Sequence, residues 1–309
     1  MCEERGRVMK LETIQNKIIL DKEQPQPYFY LIVDGIGVKK LTQRLWMYDN
    51  DSKMLFDEDK ASAEVLELSP YLIQLTKNTK ELIQKLIVEY YGEHTLLFAY
   101  SYVELEPLTE HLQSHVMYEI KKDEKKEEVY VAFYDPRVLP SFLEALEEDE
   151  KEAFLSPFVA IIAEDERDTT KLKTFKGQGS KTIEPYQEEI LRTLTPPQIE
   201  KLEAYEEQRS YFKMAKALKN IYPNELHEYT LDMLEEIAQE RTKKMRAYGL
   251  DKYNQHFQLF AWEVFYGEDY EKNDESGVLL DILKSNLSSN EKFKKYKETF
   301  STHYSIGDA

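Results

Sequence analysis

The stretch Tyr28-Phe29-Tyr30-Leu31-Ile32-Val33-Asp34-Gly35 decides the reading of the N-terminal half. Aromatic and branched side chains follow one another without a polar break, and Asp34-Gly35 is a turn signal that stops the run, so a buried strand is expected. Immediately after it, Val38, Leu41, Leu45 and Tyr48 fall at helical spacing, which predicts a helix over Val38–Tyr48. The same alternation continues downstream. Tyr71–Leu75 reads as a strand, and Thr79–Tyr91 as a helix with Leu82, Ile83, Leu86, Ile87 and Tyr90 on one face and Gly92 at its end. Thr95–Tyr100 is a further strand and Pro107–His115 a further helix.

Val116–Ile120 and Val129–Tyr134 are strand-like runs on either side of the charged Lys121–Glu128, which reads as a solvated hairpin tip. Asp135-Pro136 announces a helix over Val138–Leu146, since Asp is a preferred N-cap and Pro is preorganised for the first helical position. Phe158–Ala163 is the last strand expected. Strands alternating with helices argue for an α/β domain built on a mixed sheet flanked by helices.

Composition shifts after that point. Gly177-Gln178-Gly179-Ser180 lies in a polar stretch without periodicity, as in a linker or mobile loop. From Thr195-Pro196-Pro197 onward the pattern is helical: one helix keeps Leu202, Tyr205, Phe212, Ala215, Leu218 and Tyr222 in register, and another starts at the N-cap Thr230 and runs to Gly249. Helices over Asp251–Tyr266, Val278–Leu287 and Asn290–Phe300 complete an all-α region. The expected organisation is an N-terminal extension over residues 1–27, an α/β domain over 28–165, a linker over 166–194 and a helical C-terminal domain over 195–309.

The chain has 309 residues, enough for two domains. With 41 Lys+Arg against 59 Asp+Glu, its formal net charge of −18 disfavours nucleic acid and anionic membrane surfaces as partners. The single Cys2 can form neither an internal disulfide nor a cysteine-based zinc site, which favours a reducing compartment. No secretory signal is read at the N-terminus, and the longest apolar runs fall well short of the roughly 20 residues that span a bilayer. A cytoplasmic location is the expectation.

Few residues call for chemistry. Asp34-Gly35-Ile36-Gly37 sits where a dinucleotide turn would, but Lys40 occupies the position that needs a third small residue, so a tight turn is the simpler account. His111 and His115 share a helical face at a spacing that can chelate a metal, with Glu110 or His94 as a third ligand, yet Leu112 stands where a metalloprotease carries Glu. A metal- or small-molecule-dependent enzyme using these histidines or the Asp34–Gly37 turn is therefore the alternative reading. No motif demands a cofactor. Asp135 and Arg137 flank Pro136: either Arg137 engages a partner's carboxylate or carbonyls, or Asp135 caps its helix while Arg137 pairs with a neighbouring acid. The aromatic groups Trp46-Met47-Tyr48 and Phe257, Phe260, Trp262, Phe265 and Tyr266 supply both core and the side chains that protein interfaces select.

The order of four segments carries a family resemblance. Tyr30-Leu31-Ile32-Val33-Asp34-Gly35, Ser69-Pro70-Tyr71-Leu72, Leu108-Thr109-Glu110-His111-Leu112 and Phe133-Tyr134-Asp135-Pro136-Arg137-Val138-Leu139 resemble signature blocks of the type VI secretion effector adaptors, also called Tap or Tec chaperones. Ser69, Gln113 and Ala132 stand where that family usually has Gly, Arg and Arg. The resemblance implies a non-enzymatic adaptor that binds a cognate toxin effector in the bacterial cytoplasm, with or without a co-chaperone, and promotes its loading onto the spike protein VgrG. Tyr134, Asp135, Arg137, His111, Trp46 and Tyr48 are the candidate partner-binding residues.

Overall fold

The computed structural model describes residues 11–15, 26–48, 50–56, 62–122, 125–183 and 192–303. The chain divides into two units, Met1–Leu202 and Glu203–Ala309.

The first unit runs α1 (Leu11–Gln15), β1 (Tyr28–Val33), α2 (Leu41–Leu45), β2 (Ser52–Met54), α3 (Ala63–Leu66), β3 (Tyr71–Gln74), α4 (Lys80–Tyr90), β4 (Leu96–Ser101), α5 (Leu105–Gln113), β5 (Met117–Lys122), β6 (Lys125–Tyr130), α6 (Leu139–Ala145), α7 (Glu148–Leu155), β7 (Phe158–Glu164), β8 (Leu172–Lys176) and β9 (Arg192–Leu194). Six strands form one sheet in the order β2-β3-β1-β4-β7-β8, and each neighbouring pair is antiparallel. A smaller mixed sheet, β6-β5-β9, joins an antiparallel hairpin to a parallel third strand.

Register explains why the central strands read as unbroken apolar runs. Ile32 pairs with Leu72 and Leu97, and these point into one core with Tyr30, Ala99, Ile161 and Ala163. Their neighbours Leu31, Val33, Ile73, Phe98 and Ile162 point into a second core on the other face. Helices α5, α6 and α7 cover the first face through Leu108, Leu112, Phe142 and Phe154; α1, α2 and α4 cover the second through Ile14, Leu41, Ile83 and Ile87. A sheet covered on both sides needs apolar side chains at every position, so the period-two alternation disappears.

Several local expectations are corrected. The helix after β1 is confined to Leu41–Leu45, because Lys40 takes a left-handed φ of 57° and separates it from the preceding turn. The described part of the charged stretch Lys121–Glu128 is the solvated end of a hairpin, as expected, but the strands extend into it, with Lys121 opposite Lys126 and Lys122 opposite Lys125. Strand β6 stops at Tyr130, and Phe133-Tyr134 lie in a turn. Val138, not Asp135, directly precedes α6; Asp135 anchors the turn before it, its carbonyl accepting the Val138 and Leu139 amides and its carboxylate the Arg137 amide.

The region read as a linker also contributes structure. β8 pairs along β7, and β9 pairs along β5, so Phe158–Ala163 is not the last strand. The glycines there mark close packing rather than slack. A Cβ on Gly177 would lie 2.0 Å from the Leu155 carbonyl oxygen and 2.4 Å from that of Phe158. Main-chain bonds from Gly177 to Val159, Gly179 to Phe158 and Ser180 to Ser156 fix the segment against β7.

In the second unit, α8 (Pro196–Ile221), which contains the division between the units, is followed by α9 (Leu231–Ala247), α10 (Tyr253–Tyr266), α11 (Val278–Lys284) and α12 (Ser289–His303). Thr230 caps α9 as expected, its hydroxyl accepting the Met233 amide at 3.1 Å. One core gathers Tyr211, Met214 and Leu218 of α8 with Leu234 and Ala238 of α9 and Phe260 of α10. A second joins Met245, Leu259 and Trp262 to α11 and α12, with the Trp262 and Phe300 rings stacked at 4.0 Å. The fold class is thus an α/β N-terminal region followed by a helical one. Among the described residues, no helix is long and apolar enough to cross a membrane.

Candidate functional site

The turn after β1 is built by close backbone approach. A Cβ on Gly35 would meet the Ser69 carbonyl oxygen at 2.1 Å and that of Leu68 at 2.6 Å, so glycine alone lets the Asp34–Gly35 block lie on the Ser69–Pro70 block. Ser69 is fully buried, and its hydroxyl accepts the Phe56 amide at 3.1 Å, a bond that glycine at this position could not make. Asp34 accepts the Ile36 amide on Oδ1 at 3.0 Å, while its own amide donates to the Thr95 carbonyl. Gly37 packs on the Thr95 side chain: an added Cβ would sit 2.2 Å from Thr95 Cγ2. Both glycines thus serve contacts within the chain.

The block around Pro136 reaches the same place. Arg137 folds back over the proline onto Asp135: Nε donates to Oδ1 at 2.9 Å, Nη2 donates to Oδ2 at 2.7 Å, and the Arg137 amide donates to Oδ1 at 2.8 Å. This fork-shaped ion pair is partly exposed at the guanidinium end. Asp34 feels both members. Burial pushes its carboxyl above the usual range, the Ile36 amide opposes that, Asp135 raises it further and Arg137 lowers it. The Tyr134 hydroxyl is also pushed up, first by burial and then by Asp34 and Asp135. Two carboxylates, one guanidinium and one phenol therefore share an electrostatic neighbourhood.

Three large apolar side chains are exposed near it, alongside the charged Lys39, Lys40 and Glu67. Ile36 is 67% exposed, Leu68 47% and Tyr130 51%. They are linked through the turn: Ile36 follows Gly35, which packs on Leu68 and Ser69; Ser69 holds Phe56, and Phe56 lies 5.3 Å from the Tyr130 ring and 6.3 Å from the Tyr134 ring. Exposed apolar side chains beside a half-exposed ion pair suit a surface that recognises another polypeptide. Ile36 and Leu68 are not signalled by the sequence patterns; the nearest clue is an isoleucine held between the two glycines of a turn.

The histidines are core residues. His111 and His115 have rings 5.0 Å apart, in a cage that includes Phe154, Phe142 and Phe158. His111 Nε2 lies 2.9 Å from the Phe154 carbonyl oxygen, and His115 Nδ1 lies 2.8 Å from the Tyr118 hydroxyl. Burial drives the His111 pKa down to about 4 and that of His115 well below its ordinary value. Both rings are neutral near pH 7, so the neutral Nε2–H of His111 donates to Phe154 and ties α5 to α7. His111 braces the domain and presents no surface. His94 lies instead against Glu164, at 3.5 Å, and Glu110 is exposed. Among the described residues, no group of three or more His, Cys, Asp or Glu is placed to hold a metal ion.

Trp46, 69% exposed, and the half-buried Tyr48 follow α2, in the helical layer on the other face of the large sheet. The structure brings together Tyr134, Asp135 and Arg137 and adds Asp34; it places Trp46 and Tyr48 in a separate layer.

Residues 29–153 match the family model of a domain of unknown function, DUF4123. This segment runs from β1 into α7 and contains all four sequence blocks. No curated protein and no solved structure matches the chain.

Proposed function

We propose that the protein is a non-enzymatic adaptor whose N-terminal unit recognises a toxin effector of a type VI secretion system and promotes its loading onto VgrG in the bacterial cytoplasm. The observation that carries this reading is the convergence of the Asp34-Gly35, Ser69-Pro70 and Tyr134–Arg137 blocks on one turn rimmed by Ile36, Leu68 and Tyr130. The His111 block supports them from the core beneath. Residues spread over more than a hundred positions thus shape one surface of the DUF4123 segment. Such a surface can cover effector segments that would otherwise expose apolar area before loading, and coverage lowers the population available for aggregation.

The test is co-expression of the tagged chain with the large protein encoded beside its gene and with VgrG, followed by affinity purification. The effector is expected to co-purify with the wild type. An Ile36→Asp, Leu68→Asp pair should abolish recovery while circular dichroism remains unchanged. Recovery of neither effector nor spike protein with the wild type would overturn the reading.

A further inference from the structure

The helical unit carries an exposed apolar surface that the adaptor reading does not use. Helices α8 and α10 both terminate at it. Ile221 and Tyr222 close α8, exposed by 57% and 38%; Phe265 and Tyr266 close α10, exposed by 42% and 40%. The Tyr222 and Phe265 rings meet edge to face at 4.9 Å, so the two helix ends adjoin, while the Tyr266 ring also packs on Phe300 at 5.1 Å. Aromatic side chains of this size would otherwise be drawn into the adjacent core, where Phe260 and Trp262 of α10 are buried.

Carboxylates outnumber cations near the patch. The segments 220–232 and 263–271 contain Glu225, Glu228, Asp232, Glu263, Glu268, Asp269 and Glu271 and no lysine or arginine. Cations reach part of this set from outside these segments: Arg241 contacts Glu263 and Glu271, Lys244 contacts Glu268 and Asp269, and Lys272 contacts Asp269. Glu263 and Glu271 are themselves buried, and on the α8 side the Lys219 ammonium donates to the Tyr229 carbonyl, while Glu225 and Glu228 flank His227 in an exposed loop. Two helix C-termini add their partial negative charge, against the one N-terminus of α9, which Thr230 caps.

The geometry points to a second docking surface, at Ile221, Tyr222, Phe265 and Tyr266, for a polypeptide segment that combines apolar side chains with lysine or arginine. The apolar residues of the partner would cover the rings, while its cations would answer Glu225 and Glu228 at the rim and steer the encounter. This inference rests on the helical unit alone and stands or falls separately from the recognition surface around Asp34 and Arg137.

The experiment uses the full chain and three labelled probes followed by fluorescence anisotropy: an amphipathic helical peptide of leucine and lysine, its leucine–glutamate counterpart, and oligolysine. The leucine–lysine peptide should bind best, more weakly as salt rises. A Tyr222→Ser, Phe265→Ser double variant should weaken it by about tenfold or more, as loss of an aromatic anchor does, while leaving oligolysine binding unchanged. Ile221→Lys, at the most exposed position, serves as a second variant in case the double variant does not fold, and it too should weaken the peptide. Equal binding of oligolysine and the amphipathic peptide, or indifference to both variants, would overturn the proposal. So would concentration-dependent self-association abolished by Ile221→Lys, because the surface would then belong to a second copy.

Discussion

Two buried polar clusters, one in each unit, are held by opposite means. In the first, His111 and His115 sit among phenylalanines and remain uncharged, each joined by one ring nitrogen to a single neutral partner. In the second, Arg241 is fully buried and keeps its charge. Its Nη1 lies 2.8 Å from both Glu263 Oε2 and Glu271 Oε1, and its guanidinium carbon is 4.9 Å from the centre of the Tyr270 ring. Burial disfavours the charge on Arg241, but Tyr270, Glu271 and Glu263 together hold its proton more firmly than usual. The difference is one of failure mode. A neutral buried ring is vulnerable to acid, whereas a buried ion cluster is vulnerable to loss of one member.

Arg241→Met should give the largest effect. It strands two buried carboxylates and is expected to destabilise the helical unit by ~3–5 kcal/mol, read by urea unfolding with hydrogen exchange of α9 and α10 amides. Replacing Arg241, Glu263 and Glu271 together with apolar residues should recover most of that loss; a triple variant as unstable as the single one would show that the ions specify the packing.

In the α/β unit, acid should act through the histidines. The folded His111 pKa lies below its unfolded value, so its contribution is intact above about pH 6.5 and declines toward pH 4. The unfolded state takes up the proton first, and the decline amounts to roughly 3 kcal/mol over that window. Hydrogen exchange on β1 and β4 at pH 7 and pH 4.5 measures it, and His111→Leu should flatten the dependence. No flattening would mean that the His111 ring is protonated in the folded state.

Glu164 works in the opposite direction. Its buried carboxylate accepts the Gly92 and His94 amides, yet burial outweighs them and lifts its pKa to about 7. The folded state therefore holds the proton more tightly, and stability falls as pH rises from about 4.5 to 7, with a slope of at most about 1.4 kcal/mol per pH unit. Glu164→Gln should remove this slope and expose the histidine effect more fully between pH 4.5 and 6.5; an unchanged pH profile would exclude Glu164 as its source. The smallest effect is expected at the surface pair Lys85–Glu81, where Lys85→Ala should change stability by less than about 0.5 kcal/mol in the same denaturation assay.

How much of this could be read from the chain depends on the range of the interaction concerned. Strands β1, β3, β4 and β7 are apolar runs bounded by turn residues, and they stand out from local pattern alone. β8, Leu172-Lys173-Thr174-Phe175-Lys176, has no such signature because most of it faces solvent at the sheet edge, and β9 is too short to show any period. At the site, the Tyr134–Arg137 block is visible as a motif. Its electrostatic coupling to Asp34 is not, since the two segments lie about a hundred residues apart in sequence. The spacing of His111 and His115 shows a shared face, but the aromatic side chains that neutralise them come from α6, α7 and β7. A glycine pattern cannot distinguish a flexible tether from a tightly packed one, and Gly177 is of the second kind.

The outer strands of both sheets carry charge along their open borders. β8 presents Lys173 and Lys176, the three-residue β2 carries Lys53, and β6 begins Lys125-Lys126-Glu127-Glu128. Ammonium and carboxylate groups along an open border oppose the stacking of foreign strands onto it. The molecule can thus offer oily ground at its turns and helix ends without inviting its sheets to grow into fibres.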